Sequence, residues 1–69
     1  MDTLAVTVNG ERREAPAGAT VQSLLESLGL DPAHVVVECN GEILRREEFA
    51  ATPLAEEDAL EVIRFVGGG

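Results

Sequence analysis

The sequence predicts an α+β fold, in which a mixed β-sheet carries one short helix across one of its faces. Residues near both ends of the chain alternate between apolar and other side chains, as half-buried strands do. The Asn-Gly pair, the strongest short signal of a β-hairpin, occurs at Asn9-Gly10 and again at Asn40-Gly41. Between the two pairs lies a stretch with helical spacing of apolar residues. The predicted order is therefore hairpin, helix, hairpin and a final strand.

The first hairpin begins the chain. Residues 4–8 read Leu, Ala, Val, Thr and Val, which predicts a half-buried strand. The Asn-Gly turn that follows needs a positive φ at both central residues, which these two residue types tolerate. The return strand, residues 11–15, is polar and is expected at an exposed edge, where its charges and Pro16 discourage pairing with another sheet.

A short helix follows a loop at residues 17–19. Thr20 is the predicted N-cap. Apolar residues then recur at i, i+3, i+4 and i+7 as one stripe of Val21, Leu24, Leu25 and Leu28. Gly29 is expected to end the helix, with Leu30 packing back on it. Because so short a helix is unstable alone in water, its stripe must pack on the sheet.

The second half of the chain predicts two strands of a hairpin and a final strand. After a connection at residues 31–34, a strand at 35–39 places Val35, Val37 and Cys39 on one face. The remaining elements are a short strand at 43–44, an irregular charged segment at 45–58 with one helical turn at 46–49, and a strand at 60–66. We expect Phe49 and Leu54 to pin the irregular segment to the core.

Two hairpins with a helix between them and an additional terminal strand pack compactly as a β-grasp, or ubiquitin-like, fold. In this fold the first and last strands lie side by side and parallel at the centre of the sheet. We expect residues 1–66 to form this domain and residues 67–69 a flexible glycine tail. The predicted core consists of Leu4, Val6, Val8, Val21, Leu24, Leu25, Leu28, Val37, Leu60 and Val62.

Composition excludes several classes of protein. The formal net charge of -8 disfavours nucleic acid, whose phosphates repel this surface, and favours partners with basic docking faces. Acidity that serves solubility alone is the alternative. No apolar run approaches the roughly 20 residues of a membrane helix, and no signal peptide is evident. A single cysteine, Cys39, allows no internal disulfide, so we expect a cytoplasmic protein.

Candidate catalytic groups are few. His34, the single histidine, lies in a connection and is expected to be solvated. Cys39 points inward from a strand, where a buried, inert thiol is expected, and the two residues make no zinc set. The carboxylates at 47–48 and 56–58 are expected to be solvated loop charge, because a small domain has no cleft for acid–base catalysis. We therefore expect no enzyme, no metal and no bound cofactor.

The chain ends in Gly67-Gly68-Gly69, directly after a hydrophobic strand. Without Cβ atoms these residues can pass through a channel too narrow for side chains, and three extended residues reach roughly 10 Å. The carboxylate of Gly69 becomes reactive when ATP converts it to an acyl-adenylate, for which a partner must supply the catalytic groups. A frayed terminus or a cloning scar is the alternative interpretation.

Three apolar side chains are left over from the predicted core. If Leu60 and Val62 face the helix, Ile63 and Phe65 point to the open face of the sheet. Val36 is expected beside them on the neighbouring strand. An exposed apolar cluster of this size predicts a docking patch next to the tail, and packing under a loop is the alternative.

Several segments together resemble the ThiS family, the small sulfur carriers of thiamine biosynthesis. They cover essentially the full chain: VTVNGE at 6–11, Thr20-Val21 with Leu24-Leu25, VECNGEI at 37–43, EVI at 61–63 and FVGGG at 65–69. The chain departs from the family's usual pattern where Arg45 replaces a proline, Phe49 a tryptophan, Glu57 a glycine and Cys39 an aliphatic residue.

The resemblance implies a specific role. Gly69 would be adenylated by a ThiF-like activating enzyme that uses ATP, converted to a thiocarboxylate with sulfur from a persulfide donor, and would deliver that sulfur to thiazole synthase. Gly68 matches the other half of the family's diglycine end, and Gly67 extends the thread. The alternatives are the small subunit of molybdopterin synthase, a ubiquitin-like protein modifier and an interaction domain with an inert tail. Molybdopterin synthase subunits usually carry prolines before the tail, which this chain lacks.

Overall fold

Five β-strands form one mixed sheet in the computed structural model, which describes residues 2–65. The strands are β1 (Thr3–Val8), β2 (Glu11–Pro16), β3 (Val35–Cys39), β4 (Glu42–Leu44) and β5 (Ala59–Arg64). Their order across the sheet is β2-β1-β5-β3-β4, with β1 and β5 parallel and the other neighbouring pairs antiparallel. Helix α1 (Val21–Ser27) follows the first hairpin, and 3₁₀ turns lie at Pro32–His34 and Arg46–Ala51. The predicted β-grasp fold is confirmed, including the parallel central pair.

Helix α1 begins and ends as the sequence predicts. At its start the Ser23 N–H donates to Thr20 Oγ1 at 3.2 Å and the Thr20 N–H donates to Ser23 Oγ at 2.9 Å, a reciprocal capping box. At its end Gly29 takes a φ of +76°, and the Leu30 N–H donates to the Leu25 carbonyl at 2.9 Å in a Schellman arrangement. Local hydrogen bonds thus set both ends, and Val21, Leu24 and Leu25 of the apolar stripe are buried.

The buried core lies between the helix and one face of the sheet. Its members are Val6, Val8, Ala15, Val21, Leu24, Leu25, Val35, Val37, Phe49, Leu54, Leu60 and Val62. The prediction was wrong for Leu4 and Leu28, which are half-buried at the margin of this cluster. Each lies at an end of its element, Leu4 near the start of β1 and Leu28 just beyond α1.

The segment between β4 and β5 closes the core on the side of the helix. Phe49 is 1% exposed, and Leu54 is also buried, so the prediction that these two residues pin the segment is confirmed. The Val21 N–H donates to the Thr52 carbonyl at 3.0 Å, and the Leu54 N–H donates to the Ala19 carbonyl at 2.9 Å. These bonds tie the segment to the start of α1. The helical turn in this segment extends to Ala51 rather than ending at Phe49.

Candidate functional site

The glycines predicted to carry the chemistry, residues 67–69, lie outside the described part of the chain, and their role stays a prediction. The structure does describe the point from which they continue. Strand β5 ends at Arg64, earlier than the predicted residue 66, and the Phe65 N–H donates to the His34 carbonyl at 3.2 Å. The chain therefore leaves the sheet from its central strand, beside the start of β3.

The carbonyl that holds Phe65 belongs to a capped turn. In the 3₁₀ turn Pro32–His34, the Ala33 N–H donates to Asp31 Oδ1 at 2.9 Å and the His34 N–H donates to the Asp31 carbonyl at 2.9 Å. The imidazole itself is exposed, with Nδ1 3.6 Å from Asp31 Oδ2, as expected for a solvated residue. His34 thus supports the exit of the chain through its backbone, which the sequence pattern did not indicate.

The two Asn-Gly turns clamp β5 from both sides. Asn9 Oδ1 accepts from the Val62 N–H at 2.7 Å, while Asn9 Nδ2 donates to the Val62 carbonyl at 3.1 Å. Asn40 Oδ1 likewise accepts from the Ala59 N–H at 2.9 Å, and its Nδ2 donates to Asp58 Oδ1 at 2.9 Å. The Asn9 carboxamide thus satisfies both backbone groups of Val62, whereas the Asn40 carboxamide satisfies the backbone N–H of Ala59 alone. Both asparagines therefore help to fix the position of β5 in the sheet.

The predicted docking patch lies on the open face of the sheet. Val36 and Ile63 are directly paired across β3 and β5, and they are 38% and 61% exposed. Phe65 follows β5 and is 47% exposed. Sequence reasoning missed Ile43, which is 69% exposed and pairs with Glu38 on the same face. The alternation of side chains along β4, combined with its pairing to β3, could have predicted that Ile43 is exposed on this face. The structure leaves these side chains exposed, and their docking role stays a prediction.

Cys39 is half-buried and packs against the core. Burial raises the pKa of its thiol above the ordinary value, and the nearby carboxylates of Asp58 and Glu42 raise it further. A raised pKa keeps sulfur in the protonated form, which is a poor nucleophile. The expectation of a shielded thiol agrees with this environment, although the side chain is less deeply buried than predicted.

A surface hollow of about 280 Å³ lies on the helix side of the sheet. Four apolar side chains line it together with Asn9, Glu11, Arg13 and Arg64. Arg13 Nη2 lies 3.3 Å from Glu11 Oε1, so these opposite charges engage each other. Within residues 2–65, no three metal-ligating side chains lie close enough to hold a metal ion, and no helix is long and apolar enough to cross a membrane.

Comparison with known proteins gives one consistent family. The ThiS family model matches residues 6–69. The chain is 42% identical over 50 residues to the sulfur carrier protein ThiS of Bacillus subtilis, covering 72% of this chain and 76% of that protein. The crystal structure of the thiamine biosynthesis protein ThiS from Geobacter metallireducens superposes with a TM-score of 0.80 at 39% identity, covering 96% of this chain and 100% of that one.

A longer relative shares the same domain. Over 66 residues the chain is 41% identical to a thiazole synthase of Magnetococcus marinus, a match that covers 96% of this chain and 20% of that protein. The chain therefore spans 20% of the length of the thiazole synthases it matches. Since the family model covers nearly the whole sequence and the fold agrees, the chain belongs to the ThiS family.

Proposed function

We propose that this protein is a sulfur carrier, in which the carboxylate of Gly69 becomes a thiocarboxylate that donates sulfur for the thiazole ring of thiamine. One observation carries the proposal: the family match continues to residue 69 and so includes the terminal glycines. The similarity to a protein named sulfur carrier protein ThiS supports it further.

The chemistry explains why a carrier of this kind needs other proteins. A carboxylate resists acyl transfer until one of its oxygens becomes a good leaving group. Attack of the carboxylate on the α-phosphate of ATP releases pyrophosphate and forms an acyl-adenylate. The outer sulfur of a persulfide then displaces AMP to form an acyl disulfide. A thiol attacks the donor's sulfur in that disulfide, which releases the thiocarboxylate and leaves a new disulfide on the donor. Stabilising the charge that develops in such a step requires preorganised donors or metal ions. Gly69 therefore acts as the substrate of a ThiF-like adenylating enzyme and of a persulfide donor, and the chain itself is not an enzyme and holds no cofactor.

The proposed sulfur acceptor is thiazole synthase. The two relatives that carry this name contain a segment of nearly the full length of this chain within one longer polypeptide. Joining two modules in one chain turns their encounter into an intramolecular event and raises their effective concentration. This arrangement supports a functional meeting between the carrier and the synthase.

The docking patch of Val36, Ile63 and Phe65 is the proposed contact for these partners. It adjoins the point where β5 ends, so a protein that covers the patch meets the start of the segment that leads to Gly69. Exposed apolar clusters of this kind are typical of protein–protein contacts. Contact through the patch thus fixes the folded domain on the partner, while the C-terminus enters the partner's active site.

The test is an intact-mass measurement. The protein is incubated with a purified ThiF-like adenylating enzyme, ATP and a sulfide source, and the expected result is a mass gain equal to exchange of one oxygen for sulfur. A control chain lacking Gly69, and a control reaction lacking ATP, should show no gain. Wild-type protein that stays at its original mass refutes the proposal, and covalent adducts on other proteins indicate a modifier instead.

A deletion strain separates the two sulfur pathways. If the chain serves thiamine synthesis, the strain needs added thiazole for growth and keeps its molybdoenzyme activities. Loss of molybdoenzyme activity with normal growth in the absence of thiazole would assign the chain to molybdopterin synthesis.

A further inference from the structure

The exposed apolar side chains on the open face surround a pair of acidic residues. Glu38 and Glu61 lie directly opposite each other across β3 and β5. The next pair on the same face, toward the end of β5, is Val36 with Ile63, and Ile43 lies directly opposite Glu38 on β4. The acidic pair is thus bordered by the patch on one side and by Ile43 on another.

Like charges directly opposite each other destabilise a sheet. Neither Glu38 nor Glu61 has an ion pair within residues 2–65, where the arginines that do form pairs bind Glu57, Glu11 and Glu47. In the free protein, water screens the repulsion because Glu61 is exposed and Glu38 is half-buried. Any protein that covers Val36, Ile63 and Ile43 together must also remove this water.

Removal of water from two carboxylates costs several kcal/mol unless a positive group takes its place. The guanidinium of arginine presents five N–H donors in a planar fork, so that one side chain can bind both carboxylates, which a lysine does less well. The complementary surface of a partner should therefore carry one arginine surrounded by apolar side chains.

From this geometry we infer that the open face binds a protein partner through an arginine inserted between Glu38 and Glu61, with Val36, Ile43, Ile63 and Phe65 packed around it. The inference rests on the proposed function, because the partner in question is the adenylating enzyme that receives the terminus. It adds Ile43 and the acidic pair to the predicted patch, and it states the chemistry of the complementary surface.

The experiment measures binding and stability on the same variants. The Glu38→Gln/Glu61→Gln double variant and the wild type are titrated with the purified ThiF-like adenylating enzyme at several salt concentrations, and each is unfolded thermally. The double variant is expected to bind at least about tenfold more weakly, with a flatter dependence on salt, because the ionic contact to arginine is lost. It should unfold at an equal or higher temperature than the wild type, because the repulsion is relieved.

A matched control changes the same charge elsewhere. The Glu14→Gln/Glu26→Gln double variant alters strand β2, which β1 separates from β5, and helix α1 on the opposite face of the sheet. Its affinity should stay within about twofold of the wild type, because neither charge borders the apolar side chains around Glu38 and Glu61. An equal loss in both double variants, an unchanged affinity in Glu38→Gln/Glu61→Gln, or a lower unfolding temperature in that variant overturns the inference. If the wild type gains sulfur but the Glu38→Gln/Glu61→Gln variant binds with normal affinity, the inferred contact surface is refuted and the proposed function stands. Wild-type protein that gains no sulfur refutes the proposed function together with it.

Discussion

Replacement of Asn9 with glycine is expected to destabilise the protein by loosening β5 near the point where the chain leaves the sheet. Asn9 has a φ of 51°, which glycine adopts without strain, so the turn itself survives the change. What is lost is the pair of hydrogen bonds from the carboxamide to the Val62 backbone, at 2.7 Å and 3.1 Å. Each bond contributes about 1 kcal/mol, and the greater freedom of glycine in the unfolded chain adds about 0.5 kcal/mol, so the loss is about 2.5 kcal/mol.

The loss can be measured in two ways. In a domain of this size about 2.5 kcal/mol corresponds to a decrease in unfolding temperature of about 15 °C, which a thermal or urea unfolding curve resolves. Hydrogen exchange followed by NMR should show lower protection of the Val62 amide, whose acceptor is the Asn9 side chain. The matched control is Asn40→Gly, which removes the clamp on the Ala59 amide instead. A loss below about 0.5 kcal/mol, or unchanged protection of Val62, would refute the role of the carboxamide as a substitute for strand backbone.

Four further predictions concern other parts of the molecule. Glu57→Gly should be more stable than Glu57→Ala by about 1 kcal/mol in urea unfolding, because a φ of 70° is unfavourable for a residue with a Cβ. Both changes remove the same exposed ion pair with Arg12, so equal stability of the two variants would contradict this explanation. Phe65→Asp should weaken binding of the adenylating enzyme about tenfold or more with an unchanged unfolding curve, and a variant that unfolds would show that the ring supports the core. Gly68→Ala should slow ATP-dependent pyrophosphate release without a change in the free energy of unfolding. A matching loss of stability would show that Gly68 also supports the fold. The Cys39 thiol should react with iodoacetamide more slowly than a free cysteine at the same mildly alkaline pH, and faster as the pH rises, because burial and then the neighbouring carboxylates raise its pKa; a rate equal to that of free cysteine would show an unshielded thiol.

The departures from the family's usual pattern affect packing and turn geometry. Phe49 stands where a tryptophan is usual and is almost completely buried, so a smaller aromatic ring fills this part of the core. Glu57 stands where a glycine is usual and adopts a positive φ, which explains why glycine suits the position. The Glu57 N–H still donates to the Ala5 carbonyl at 2.7 Å, so the turn forms in spite of the unfavourable φ.

Only part of the candidate site could be predicted, because some of its features depend on neighbouring residues and others on residues far apart in the sequence. Alternation within residues 60–65 places Ile63 outward without knowledge of the fold, and the glycines of the terminus are visible in the sequence itself. The position of Ile43 depended on the register of β4 against β3, and the pairing of Glu38 with Glu61 depended on the register of β3 against β5. The first register follows from the two-residue turn at Asn40-Gly41, which pairs Glu38 with Ile43. The second joins segments far apart in the sequence, and it is set by the burial of one whole face of the sheet.

The sequence by itself determined the elements whose causes lie within a few residues. The capping box at Thr20, the end of the helix at Gly29 and both Asn-Gly turns depend on hydrogen bonds or φ preferences between near neighbours. The tertiary structure alone decided that Asn9 and Asn40 clamp β5, that the backbone of His34 holds Phe65, and that Leu4 and Leu28 remain at the margin of the core. These contacts join residues far apart in the sequence, and their partners are set by how the packed elements meet in space.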